Sequence, residues 1–107
     1  MPISTNNTII RDVFVSFVRV HILHHAAREP IYGVEMISEL SRHGYALSPG
    51  TLYPILHGLE EWGLLTSRGK VVDGKMRKYY RSTPKGRRVL TDAKEKIREL
   101  IREVLEE

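Results

Sequence analysis

No cysteine occurs in this chain of 107 residues. Disulfide frameworks, thiolate metal sites and thiol nucleophiles are therefore excluded together, and the composition suits a reducing compartment. Long apolar runs are also missing. The richest, Val13 to Leu23, is broken by Arg19 and His21 and falls well short of the ~20 residues a membrane span needs. The opening stretch from Met1 to Asp12 lacks the basic-then-apolar order of a secretory signal. Nor does the chain offer a Gly-rich phosphate loop or a nucleophile set beside a base, so an enzyme is not expected. These absences leave a cytoplasmic protein with no cofactor, no metal and no membrane partner as the expectation.

The charge is present but unevenly placed. Of the formal net charge of +4, the segment from Arg68 to Arg88 carries nine basic residues against Asp73 alone, a local excess of +8. The parts before and after it each hold four basic and six acidic residues, so each is −2. All the surplus positive charge lies in one fifth of the chain, as expected of a surface that meets a polyanion.

Residues 1–8 are polar and rich in Asn and Thr, the composition of a flexible lead-in. From Ile9 to Ala27 two patterns compete. Val18, Val20 and Ile22 alternate with Arg19 and His21 as in a strand, yet the run is long and ends at Glu29-Pro30 as a helix would. Length favours a helix. Phe14, Val15, Phe17, Val18, Ile22 and Leu23 make it apolar on most faces, more than a single protein surface covers, which points to a partner chain.

A short amphipathic helix is expected from Gly33 to Arg42, with Val34, Ile37 and Leu40 inward and Gly44 as its stop. Ser48 then supplies an N-cap oxygen and Pro49 a preset φ, and Leu52, Ile55, Leu56 and Leu59 follow at helical spacing to about Trp62-Gly63. Pro54 should distort this helix without breaking it. Leu64 to Val72, Asp73-Gly74 and Met76 to Thr83 read as a β-hairpin with a basic second strand. From Pro84 onward Leu90, Ala93, Ile97, Leu100 and Val104 recur at 3, 4, 3, 4, with Ile101 and Leu105 widening the stripe. Such a short coiled-coil seam needs another element to pack on, most simply its own copy in a dimer.

Helix, helix, helix, hairpin, helix is the order of a winged helix-turn-helix. We therefore expect a mainly α chain with a small β-hairpin: a flexible start over 1–8, a DNA-binding domain over 9–83 and a dimerisation helix over 84–107. The third helix presents Ser48, Pro49, Gly50, Thr51, Tyr53 and His57 away from its leucine face, small and hydroxylated residues that let backbone N–H groups approach phosphates or reach base edges. The hairpin supplies Lys70, Lys75, Arg77, Lys78 and Arg81 to neutralise phosphates. A dimer interface is expected from Phe14 and Phe17 together with Leu90, Ile97, Leu100, Ile101, Val104 and Leu105. The competing reading is a winged-helix protein-interaction module, whose docking surface would more often expose apolar residues than this charge.

At these residues the chain resembles the PadR family of transcriptional regulators. The match is carried by Tyr32-Gly33, the string Ser48-Pro49-Gly50-Thr51-Leu52-Tyr53-Pro54-Ile55-Leu56-His57 with Leu59-Glu60, then Gly63-Leu64-Leu65, Arg77-Lys78-Tyr79-Tyr80, Thr83 and Gly86. The resemblance implies a homodimeric repressor on a palindromic operator of double-stranded DNA, released by a small molecule. It makes Ser48, Gly50, Thr51 and Tyr53 the DNA-facing residues and Lys75, Arg77 and Lys78 the wing contacts. The last helix lacks the aromatic residue with which some relatives stack planar ligands, so the identity of any effector stays open.

Three further features have local readings. Tyr79 and Tyr80 point to opposite faces of a strand, so one is core and the other is free, with the assignment open. Trp62 is expected to pack in the core. His21, His24 and His25 can bring two imidazoles onto one metal ion by helical spacing. With no Cys and no carboxylate nearer in sequence than Asp12 and Glu29, packing or solvent is the expectation for them.

Overall fold

The computed structural model describes residues 5–106. In chain order it contains α1 (Thr5–Arg28), β1 (Ile31–Tyr32), α2 (Gly33–Arg42), α3 (Pro49–Glu61), β2 (Leu65–Val72), β3 (Lys75–Ser82) and α4 (Pro84–Val104). The strand-like alternation around Val18 and Ile22 resolves as helix, ended by Pro30, whose missing N–H cannot continue the ladder. Of the expected lead-in, residues 1–4 lie outside the described residues. Thr5 to Thr8 form the first turn of α1 instead.

Three residues past Arg28 the chain forms a strand that the sequence does not announce. Ile31 pairs with Tyr80 and Tyr32 with Tyr79, giving an antiparallel sheet in the order β1-β3-β2. Two residues cannot show an alternation, so only the pairing reveals β1. The hairpin itself is as expected, with Val72 opposite Lys75 across a two-residue turn. Asp73 and Gly74 take φ of 51° and 76°, the left-handed pair that a tight hairpin turn demands.

The core forms where the helices meet the base of the sheet. Val18, Ile22, Leu23 and Ala26 of α1 pack with Met36 and Leu40 of α2, Leu52, Leu56 and Leu59 of α3, and Ile31, Leu64, Leu65, Tyr80 and Leu90. Fully burying each such side chain contributes roughly 1.5–3 kcal/mol. The inward face of α2 differs from expectation: Met36 is buried and Val34 is two-thirds exposed, because Gly33 and Leu40 turn the 36–40 edge toward α3. Trp62 also departs from expectation, being 52% exposed just beyond α3 with the Arg19 guanidinium 5.1 Å above its ring. The end of α3 is closed by backbone bonds from Gly63 to Glu60 and Leu64 to Leu59 and by Lys85 donating to the Trp62 carbonyl, so the indole is not needed inside.

Where α1 meets the end of α2, burial and the neighbouring imidazoles of His43, His25 and His24 hold His21 below its ordinary pKa. The molecule is elongated, 52 × 37 × 25 Å. Its accessible surface of 7734 Å² compares with about 6,100 Å² for a compact monomer of 12.3 kDa. Ile9, Ile10, Val13 and Phe17 on α1, and Leu100, Ile101, Val104 and Leu105 at the chain's end, are among the large hydrophobic residues left exposed.

Candidate nucleic-acid interface

Helix α3 begins where sequence chemistry requires, with Ser48 at the N-cap and Pro49 as the first helical residue. The cap works differently from expectation. The Ser48 hydroxyl makes no bond to a first-turn amide and lies 3.3 Å from the Thr51 hydroxyl, while the Ser48 carbonyl accepts from Thr51 and Leu52. Ser48, Pro49, Gly50 and Thr51 are all exposed, and a Cβ on Gly50 would find nothing closer than the Ser48 hydroxyl at 3.7 Å. The result is an open helix N-terminus with two adjacent hydroxyls, a shape that accepts a phosphate or a base edge. His57 is exposed one to two turns further along the same helix.

Tyr53 does not share that freedom. Its ring lies over Gly33, where any Cβ would strike it, and it packs on the core. The tyrosine therefore sets the separation of α3 from the start of α2 with its hydroxyl edge over Gly33, and its ring lies 6.3 Å from that of His57. The pairing of Gly33 with Tyr53 in one packed contact is a signal that the sequence carries but cannot interpret alone.

Register sorts the hairpin cations onto two faces, since residues paired across strands share a face. One face holds Leu65, Ser67, Gly69 and Val71 opposite Ser82, Tyr80, Lys78 and Met76; its base is buried at Leu65, Tyr80 and Ser82. The opposite face carries Arg68, Lys70, Lys75, Arg77 and Arg81 around Tyr79 and Tyr32. Tyr80 is thus the core tyrosine and Tyr79 the outer one, its ring 5.3 Å from that of Tyr32. Arg77 sits 4.6 Å from the Tyr32 ring, and a hydrogen bond with Tyr79 lifts its pKa above the ordinary arginine value. Arg68, absent from the expected set, joins the other cations because it pairs with Tyr79. Its alternation with Lys70 was the available signal.

Lys78 stands apart from the other cations. Its ammonium faces Glu60 of α3 at 3.8 Å, and Glu60 also accepts a 2.6 Å hydrogen bond from Ser67. This carboxylate ties the third helix to the wing and offsets the one cation on that face. The expected interface residues divide in a similar way. Leu90 is buried within its own chain and Phe14 packs on the core against Tyr45, at 5.1 Å between ring centroids. Phe17, Leu100, Ile101, Val104 and Leu105 are exposed, and Ile97 lines an apolar groove with Phe17, Val20 and Leu90 between α1 and α4. No described helix is long and apolar enough to cross a membrane.

Comparison with known proteins agrees with this architecture. Residues 22–92 match the Transcriptional regulator PadR-like family. The chain is 58% identical over 96 residues to the transcriptional regulator Rv3488 of Mycobacterium tuberculosis, covering 90% of each. A PadR family transcriptional regulator from Eggerthella lenta has the same fold, with a TM-score of 0.79 at 33% identity over 91% of this chain and 86% of that one. A PadR-like transcriptional regulator from Bacillus cereus gives 0.76 at 27% identity, over 90% and 98%. A winged helix with an open third-helix N-terminus and a basic hairpin, matched over most of its length to regulators of one non-enzymatic class, belongs to the PadR-like family of transcriptional regulators.

Proposed function

We propose that this regulator binds double-stranded DNA as a homodimer and represses transcription in the cytoplasm by occupying a palindromic operator. The observation that carries the reading is that one chain presents both an exposed Ser48-Pro49-Gly50-Thr51 helix start and a hairpin bearing five cations on one face. The first element suits base edges and nearby phosphates, and the second suits the flanking backbone. Dimerisation is supported by the exposed apolar residues of α1 and the end of α4, which a single chain leaves wet. Two copies related by a twofold axis place two third helices about one turn of DNA apart.

The test is selection of duplexes from a random pool followed by fluorescence-anisotropy binding between ~50 and 200 mM salt, where phosphate-dominated affinity falls by orders of magnitude. Enrichment of a palindrome with half-sites about one turn apart is the expected result. Binding without sequence preference, or no binding, would transfer the assignment to a protein-docking role.

A further inference from the structure

We propose that His21, His25 and His43, with the Glu39 carboxylate at their edge, form a binding site for a first-row transition-metal dication such as Zn²⁺. His21 and His25 stand four residues apart on α1, stacked one turn above the other. His43, the C-cap of α2, arrives from the neighbouring helix with its ring 5.0 Å from that of His21. One ring nitrogen from each of the three lies within 4.8 Å of the others. A tetrahedral zinc holding nitrogens at about 2.0–2.1 Å spaces them roughly 3.4 Å apart, so small rotations of incompletely buried rings close the set.

Glu39 completes the chemistry. Its Oε2 lies 3.1 Å from His43 Nε2, one helical turn away, where a carboxylate orients the imidazole or adds a fourth ligand. Three neutral nitrogens and one anionic oxygen suit Zn²⁺, Ni²⁺ or Co²⁺, whereas Mg²⁺ and Ca²⁺ take oxygen donors. Packing alone does not call for this arrangement. Tyr45 and Phe14 already fill the adjoining space with apolar rings, Tyr45 meeting His21 at 5.2 Å and Phe14 at 5.1 Å. That leaves a half-buried aromatic wall on one side and the exposed His43 as an entry from solvent on the other. His24 lines the α1–α4 groove alongside His21, but its ring nitrogens are not among the three that converge. The site lies outside α3 and the hairpin, so it stands without the DNA reading, and an ion there would clamp α1 to the first helix of the helix-turn-helix.

The experiment is calorimetric titration of the full, chelator-treated chain with zinc chloride, alongside visible absorption on adding cobalt(II). Saturable binding of one ion per chain and a tetrahedral cobalt spectrum are expected. His43→Ala, at an exposed position, should abolish saturable binding with an unchanged melting curve, and His25→Gln should do the same as a second ligand deletion. Glu39→Gln should weaken binding about 10- to 100-fold, and His24→Ala should leave it unchanged. The proposal is overturned by absent saturable binding in the natural chain, by wild-type affinity in both ligand deletions, or by a His24→Ala loss as large as that of His43→Ala.

Discussion

Tyr80 is fully buried, yet its hydroxyl has no hydrogen-bond partner among the described residues. Burial first, and Glu60 second, push its phenol above the ordinary tyrosine pKa. A buried donor without a partner costs about 1–3 kcal/mol, so Tyr80→Phe should be neutral to stabilising, read as an unchanged or raised urea midpoint. Gly86 is constrained in the opposite sense. A Cβ there would collide with the Leu64 carbonyl oxygen and lie 2.7 Å from the Ser82 hydroxyl. Because a backbone atom cannot swing aside, Gly86→Ala should cost about 2–3 kcal/mol despite alanine's better helix propensity. A thermal melt that rises in that variant would show that α4 is not seated where described.

At the scale of elements, α4 is tied to the sheet through its first turn. The Thr83 hydroxyl accepts from the Gly86 amide at 3.0 Å and donates to the Gly63 carbonyl at 2.6 Å. Thr83→Ala should therefore cost about 1–2 kcal/mol, with Thr83→Ser restoring most of it in chemical denaturation. The hairpin makes a different prediction. Removing Lys70 or Arg81 should weaken binding to all DNA sequences evenly and lower the salt slope by about 1 each. Lys78→Ala should change the slope less, because Glu60 already offsets that charge. Equal slopes for the three variants in anisotropy titrations would mean that the two faces of the wing are equivalent toward DNA. The hairpin, its turn and the starts of α3 and α4 were legible in sequence because Asp73-Gly74, Pro49 and Pro84 act through local backbone geometry, whereas α1 begins a turn earlier than its apolar run. Strand β1 was not, since Ile31 and Tyr32 become a strand only when β3 offers its edge.

The whole molecule is longer and wetter than a chain of its mass needs to be, and large apolar side chains are exposed along α1 and at the end of α4. If a second copy covers that face, Leu100→Lys combined with Val104→Lys should convert a dimer into a folded monomer at micromolar concentration. Sedimentation equilibrium reads the halved mass, and circular dichroism the retained helices. A natural chain that sediments as a monomer would remove dimerisation from the proposal. What the sequence by itself determined is whatever depends on neighbours along the chain: helix periods, caps, the two-residue turn and the clustering of positive charge. What only the tertiary structure decided is what depends on approach between distant residues. Gly33 beneath Tyr53, Lys78 against Glu60, Trp62 turned outward beneath Arg19 and His43 carried to His21 and His25 are contacts between separate elements. Periodicity reports which way a side chain faces on its own helix or strand, but only packing supplies the partner it meets there.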